Sequence, residues 1–259
     1  MERKLTFNKN PDAYFKYRPD YPVDLYHDIF ESIELDENSY LLDIGVGAGK
    51  ELIPFMQKNM FIDAIDIGNN LIDYTNQKYS NYKKLNSICI SFEQYPVYQS
   101  KYDIVFSATA FHWIDSNIKY DKVHKLLKEN GLLALCWQRS EPEINDFENE
   151  LYKFYLKKIP DICKYSKNKE IIHSNRKNEI INSGFFEIVI EKKYNWSISL
   201  NYPDYCGLFY TFSKHILIND NVKQEINKEL ENLFYKRNNA YNKEFQAILY
   251  ICKKSKINN

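Results

Sequence analysis

The segment LLDIGVGAGKEL (residues 41–52) constrains this chain more than any other: an apolar run, three alternating glycines, then a helical pattern. Glycine scarcity gives it weight. The 259 residues contain only seven glycines, where average usage would give roughly 18. Three of the seven, Gly45, Gly47 and Gly49, fall within five positions of one another. A strand that turns through glycines into a helix brings backbone against a polar ligand. Glycine permits the sharp turn and leaves no Cβ in the way, and exposed N–H groups at the helix start favour an anionic group. Spacing excludes two familiar versions of such a loop. A phosphate-cradling loop needs Gly-Lys-Ser/Thr, but Glu51 follows Lys50 and the magnesium-binding hydroxyl is lacking. A dinucleotide fingerprint G-x-G-x-x-G needs glycine where Lys50 stands.

The rest of the first half alternates short apolar runs with helical patterns. Strands are predicted at 40–44, 61–67, 86–92, 102–110 and 132–138. Helices are predicted at 51–59, with Pro54 in the first turn, at 70–80, and at 116–130, closed by Gly131 in the C′ position. Strands alternating with helices imply a parallel sheet covered on both faces. The second half reads as a helix over 142–159, an irregular charged stretch to about 174, and over 175–185 the pattern of a helix, its C′ glycine Gly184, then a strand. A strand with its extension over 185–200, helices across 202–240 and a last strand at 244–254 follow. The fold class is therefore α/β: a Rossmann-like, doubly wound, mostly parallel seven-stranded sheet with a helical cap. Four regions are expected: N-terminal lid helices (1–35), an α/β core (36–140), a cap with the sixth strand (141–240), and the final strand and tail (241–259).

Lys+Arg 35 against Asp+Glu 35 leaves no net charge, which argues against nucleic acid or an anionic membrane as partner. The longest apolar stretches fall far short of the ~20 residues that span a bilayer, and the N-terminus has no apolar core of a secretory signal. Five dispersed cysteines without a C-x-x-C pair read as reduced thiols in a cytoplasmic protein, four of them in apolar surroundings that favour buried, inert thiols. His27, His124, His173 and His215 show no metal spacing, so no metal is expected. The 22 tyrosines and 16 phenylalanines accompany abundant Asn, Ile and Lys, a codon bias that does not require a stacking ligand.

Asp-x-Gly-x-Gly-x-Gly at 43–49 resembles the first signature motif of the class I S-adenosylmethionine-dependent methyltransferases, and the resemblance continues in order along the chain. Asp66 ends the second strand 21 residues past Gly45, Phe92 and Glu93 follow the third, YDIVFSATAFHWID (102–115) looks like the fourth-strand motif, and LLKENGLLAL (126–135) looks like the turn into the fifth. DAYFKYRPDYP (12–22) is similar to the leader helix of the trans-aconitate-type, methyltransferase type 11-like branch, and Tyr210 with TFS (211–213) resembles its cap motif. The resemblance implies that Asp43 and the loop through Gly45, Gly47 and Gly49 hold the methionine end of S-adenosylmethionine, Asp66 the ribose, and Phe92 with Glu93 the adenine. Tyr14 and Arg18, four apart on one helix face, would lie over the cofactor, where Arg18 could clamp a carboxylate.

A sulfonium methyl is already activated, so its transfer is an in-line displacement governed by positioning and desolvation. A base is needed only when the acceptor starts protonated. His112, at the carboxyl edge of the fourth strand, is the candidate for that role; Trp113 is expected to wall the cleft and Tyr210 to face the substrate. The leading expectation is a methyltransferase for a small-molecule O or N acceptor, a carboxylate among them, working as monomer or homodimer. The alternatives are a catalytically inactive cofactor-binding module of the same fold, an NAD-type enzyme, and a nucleic-acid or protein methyltransferase.

Overall fold

The computed structural model describes residues 8–141, 146–160, 169–212 and 215–255. Cys163, Ser213 of the TFS motif, the first four residues of the helix expected at 142, part of the stretch before 174 and the last four residues lie outside them.

The expected alternation is present: α1 (Pro11–Tyr17), α2 (Val23–Glu31), β1 (Tyr40–Ile44), α3 (Ile53–Gln57), β2 (Phe61–Asp66), α4 (Asn69–Lys78), β3 (Leu85–Cys89), β4 (Tyr102–Ala108), α5 (Ser116–Leu126) and β5 (Leu127–Glu141). Then come α6 (Asp146–Lys158), α7 (Lys169–Asn182), β6 (Phe186–Leu200), α8 (Tyr202–Phe209), α9 (Asp220–Tyr235) and β7 (Tyr241–Lys254). One seven-stranded sheet has the order β3-β2-β1-β4-β5-β7-β6. β1 to β5 pair in parallel, while β7 lies antiparallel to both β5 and β6. The order reverses between β1 and β4, so their carboxyl ends open the crevice in which such sheets bind ligands.

Burial on both faces explains why the central strands are apolar throughout. Leu41, Ile62, Ile104 and Leu132 pack on the face covered by α2 and α3, with Leu25, Ile29, Leu52 and Phe55. Leu42, Val105 and Leu133 pack on the opposite face with Tyr120, Val123, Leu126 and Ile180 of α5 and α7. A third cluster joins α6, α8, α9 and the outer ends of β6 and β7, and much of the aromatic excess goes there. Phe147 stacks on Tyr241 at 4.1 Å and meets Phe234 edge-on at 5.2 Å.

Several boundaries differ from the sequence reading; α7, for one, starts at Lys169, inside the stretch expected to be irregular to about 174. Helix α5 stops at Leu126 because the fully buried Leu127 already pairs with Tyr102 in the sheet; Gly131 lies inside β5 and closes no helix. A Cβ on Gly131 would come within 2.9 Å of the Tyr102 carbonyl, so close backbone approach is what requires glycine there. β3 ends at Cys89, which releases Ile90, Phe92 and Glu93 into the loop above the sheet. Gly184, by contrast, follows α7 with φ +74, as a C′ glycine does.

Candidate cofactor and acceptor site

The loop after β1 is built from positive-φ glycines, Gly45 at +78, Gly47 at +57 and Gly49 at +73, with the intervening Val46 and Ala48 buried. Its amides are largely committed internally. The N–H groups of Gly45 and Val46 both donate to the Ile65 carbonyl at 2.8 and 3.1 Å, Gly47 donates to Asp66 Oδ2 at 2.9 Å, and Gly49 donates to the Val46 carbonyl at 3.0 Å. The expected array of exposed donors for an anion is therefore absent from these four positions. The loop is lashed to the end of β2, and the helix after it has five residues beyond a single 3₁₀ turn. Gly49 lies against α4 instead: its carbonyl accepts from Tyr79 at 2.9 Å, and a Cβ would meet Tyr79 and Thr75 at 2.8 and 3.0 Å.

Two adjoining cavities open above the sheet, sharing Tyr14, Arg18, Gly45, Gly47, Ala108 and Thr109 in their walls. The first adds Asp66, Phe92, Glu93, Trp113 and an apolar rim of Ile67, Leu71, Ile90 and Ile114. Asp66 is fixed by two backbone donors, Gly47 to Oδ2 and Gly68 to Oδ1, both at 2.9 Å. Burial raises its pKa, against the pull of its backbone donors Gly68, Gly47 and Ile67. Phe92 is buried beneath the cavity and Glu93 is exposed at its rim. Lys122 pins this turn by donating to the Phe92 carbonyl at 2.7 Å and the Glu93 carbonyl at 3.1 Å.

The second cavity adds Asp43, Glu51, Lys50, Tyr21 and Gln138. It sets buried acids and buried donors together. Burial drives Asp43 well above the usual carboxylate range, helped by the charges of Glu51 and Asp66. Burial lifts Glu51 to about 7, opposed by the hydroxyl of Tyr26 that donates to it. Arg18 is partly buried with its Nε fully enclosed, and burial lowers its pKa. Its Nη2 donates to the Thr211 carbonyl at 3.1 Å, and its guanidinium lies 4.2 Å from the centre of the Phe212 ring. Among the described residues nothing accepts from Arg18 Nε or from Gln138 Nε2. A buried donor left unpaired is costly, so both point to a ligand with acceptor oxygens.

Sequence reasoning missed Glu51, Gln138, Tyr21 and Thr109. Gln138 carried a weak signal, a polar residue ending the apolar strand LLALCWQ. Thr109 carried none, because its left-handed φ of +55 is a tertiary product, held by Tyr21 Oη at 2.8 Å from its hydroxyl and by Gln138 N–H donating to that hydroxyl at 3.1 Å.

Besides Gly49, which lines neither cavity, two expected residues stand elsewhere. His112 is exposed and lines neither cavity; its Nδ1 accepts from Trp137 Nε1 at 3.2 Å, and its ring lies 4.7 Å from that of Trp113. Tyr210 belongs to the third cluster, donating to Asn227 Oδ1 at 2.7 Å, and also lines neither cavity. Among the described cysteines Cys136 and Cys252 are buried, Cys206 is half-buried, and Cys89 is exposed with its thiol bonded to Asn69. Among the described residues no three His, Cys, Asp or Glu side chains gather as a metal site, and no helix is long and apolar enough to cross a membrane.

The methyltransferase domain family model matches residues 42–135, the span from β1 through β5 that carries the glycine loop, Asp66 and the Phe92–Glu93 turn. Over that span the chain is similar to a methyltransferase domain. Its similarity to an uncharacterized methyltransferase-like protein of Schizosaccharomyces pombe is 27% identity over 142 residues, 54% of each chain. A probable S-adenosylmethionine-dependent methyltransferase of Saccharomyces cerevisiae is 26% identical over 194 residues, 71% of this chain and 63% of the yeast protein. The chain thus spans about half to under two thirds of the length of these curated relatives. In three dimensions it is similar to a putative type II methyltransferase from Anaeromyxobacter dehalogenans, with a TM-score of 0.63 at 16% identity over 91% of this chain and 97% of the other. That likeness extends the shared fold well past the domain itself.

Proposed function

We propose that this chain binds S-adenosylmethionine and transfers its methyl group in line to an oxygen or nitrogen of a small molecule, a carboxylate among the candidate acceptors. One observation carries the reading: a single cavity holds buried carboxylates, Asp43 and Glu51, together with buried donors lacking an acceptor, Arg18 Nε and Gln138 Nε2. A zwitterionic amino-acid group satisfies both sets at once, with its ammonium toward the acids and its carboxylate toward Arg18. The adjoining cavity suits the remainder of the cofactor. Asp66 is fixed to accept from two ribose hydroxyls, and Phe92, Glu93, Ile67 and Ile90 border a slot for adenine.

When bound, the cofactor supplies a methyl group on a sulfonium, already activated toward a nucleophile. The residues of this chain then have three tasks. Gly45 and Gly47 let the backbone approach without side chains, Tyr14 and Arg18 close the site from above and exclude water, and Trp113 walls the acceptor side. His112 supports Trp113 in this reading, and no residue need take a proton from a carboxylate acceptor. The reading also places the protein in the cytoplasm, where its cysteines stay reduced.

Calorimetric titration with S-adenosylmethionine, S-adenosylhomocysteine and NAD, followed by label transfer to a panel of small acids, amines, RNA and protein, tests it. Binding of both adenosyl ligands but not NAD, with label in a small molecule, is the expected result. Binding of NAD instead would sink the cofactor assignment. Tight cofactor binding with no transfer to any acceptor would leave the inactive module, and label in RNA or protein would replace the acceptor class.

A further inference from the structure

Lys50 separates this loop from the dinucleotide fingerprint, and its side chain makes contacts that glycine could not. Its ammonium donates to the main-chain carbonyl of Phe15 at 3.0 Å and to that of Arg18, and it pairs with Asp20 Oδ1 at 3.1 Å, while its own side chain is only 11% exposed. Phe15 and Arg18 form the C-terminal end of α1, where helix carbonyls lack partners and a cation is favoured.

Helix α1 needs such a tether. It has seven residues, none of them buried, so it holds its place through contacts at its ends and sides. On the far side, Gly207 of α8 lies flat against Tyr17; a Cβ there would come within 2.5 Å of the ring. Arg18, the C-cap, reaches the Thr211 carbonyl next to the same helix. From this seat α1 and its cap residue present Tyr14 and Arg18 to both cavities.

We propose that Lys50 is a positioning residue that seats α1 between the glycine loop and α8, so that the position of the cofactor loop sets the wall of the site. The inference rests on the cofactor reading above for its effect on affinity, but the seating itself does not. Lys50 acts through main-chain carbonyls, so arginine preserves the function and an apolar side chain of similar length removes it.

The test compares the full chain with Lys50→Met, Lys50→Arg and Gly207→Ala by hydrogen exchange of the amides of residues 14–18 without ligand, and by calorimetric affinity for S-adenosylhomocysteine. Lys50→Met should speed exchange in 14–18 at least about tenfold while leaving β1 and β4 protected. It should also weaken S-adenosylhomocysteine about tenfold, and Lys50→Arg should restore both. Gly207→Ala, with Lys50 intact, should loosen α1 from the other side and weaken the ligand in the same way; it carries the test if Lys50→Met does not fold. Unchanged exchange in Lys50→Met overturns the proposal, and a loss of affinity alone would mean that Lys50 meets the ligand directly. Faster exchange in Gly207→Ala without a loss of affinity would also overturn it, because the seat would then not set the wall. Failure of the wild-type chain to bind S-adenosylhomocysteine would sink the cofactor reading while the exchange arm still judged Lys50.

Discussion

Trp137 donates its indole N–H to Nδ1 of His112 across 3.2 Å, a contact that favours the tautomer with its hydrogen on Nε2. A neutral imidazole has one donor and one acceptor nitrogen. With Nδ1 accepting, Nε2 carries the hydrogen and the ring has no lone pair left to act as a base. His112→Ala should therefore lower kcat by less than about tenfold, against the 10²–10⁴ expected for a lost general base. Steady-state kinetics across pH checks this. A fall beyond a hundredfold, with loss of one limb of the pH profile, would restore His112 as the proton acceptor.

The glycines of the loop are not equivalent. A Cβ on Gly45 would stand 2.3 Å from Cβ of Ala110, whereas one on Gly47 would find only the edge of Tyr14 at 3.8 Å. Gly47→Ala should cost about 1–2 kcal/mol, the strain of a left-handed backbone. Gly45→Ala should cost clearly more, because loop or β4 backbone must shift, and it should weaken cofactor binding more as well. Gly184→Ala, at φ +74 with open space around it, serves as the strain-only control. Urea unfolding of the three variants gives the order.

The buried acids set the pH dependence. Burial lifts Glu51 to about 7 from its ordinary 4.5, so the folded protein holds a proton there that the unfolded chain releases between these pH values. Stability from this group is fully present below pH 4.5 and lost as pH rises through about 7, with an upper size of about 3 kcal/mol. Asp43 and Asp66, both raised by burial, act in the same direction. The ligand-free protein should melt at lower temperature at pH 8 than at pH 6, and Glu51→Gln should flatten the slope. A melting temperature that climbs over this range, with Glu51→Gln unchanged, would contradict the assignment.

Away from the site, Asp63 of β2 holds one end of the sheet together. It accepts from Tyr102 Oη at 2.6 Å, Asn86 Nδ2 at 2.9 Å, Tyr95 Oη at 3.3 Å and the ammonium of Lys101. Asp63→Ala strands a partly buried lysine and leaves the Tyr95 and Tyr102 hydroxyls only each other at 2.6 Å, a loss of about 1–3 kcal/mol. It should not change cofactor affinity measured well below the melting temperature. Thermal unfolding and calorimetry on the same sample separate the two effects.

Local chemistry determined much of this protein without help. Alternating apolar runs fix the strands of the core because both sheet faces are buried, and glycine at 45, 47 and 49 fixes a loop that no other residue type forms without strain. Asp43 and Asp66 were legible because each ends or nearly ends a strand at the edge where ligands bind. Tertiary structure alone decided what those groups can still offer. The loop amides look like an anion site in sequence, yet β2 brings the Ile65 carbonyl and Asp66 alongside and takes them. His112 reads in sequence as a base beside the cleft, yet the structure sets it outside both cavities with Trp137, 25 positions away, on its Nδ1. Gly207 takes its role only from α1, which lays Tyr17 across it, and Lys50 marked only what the loop was not until its ammonium met the end of that helix. The physical reason is common to all four. Sequence fixes which donors, acceptors and surfaces exist, but whether each remains available depends on which distant segment folds against it.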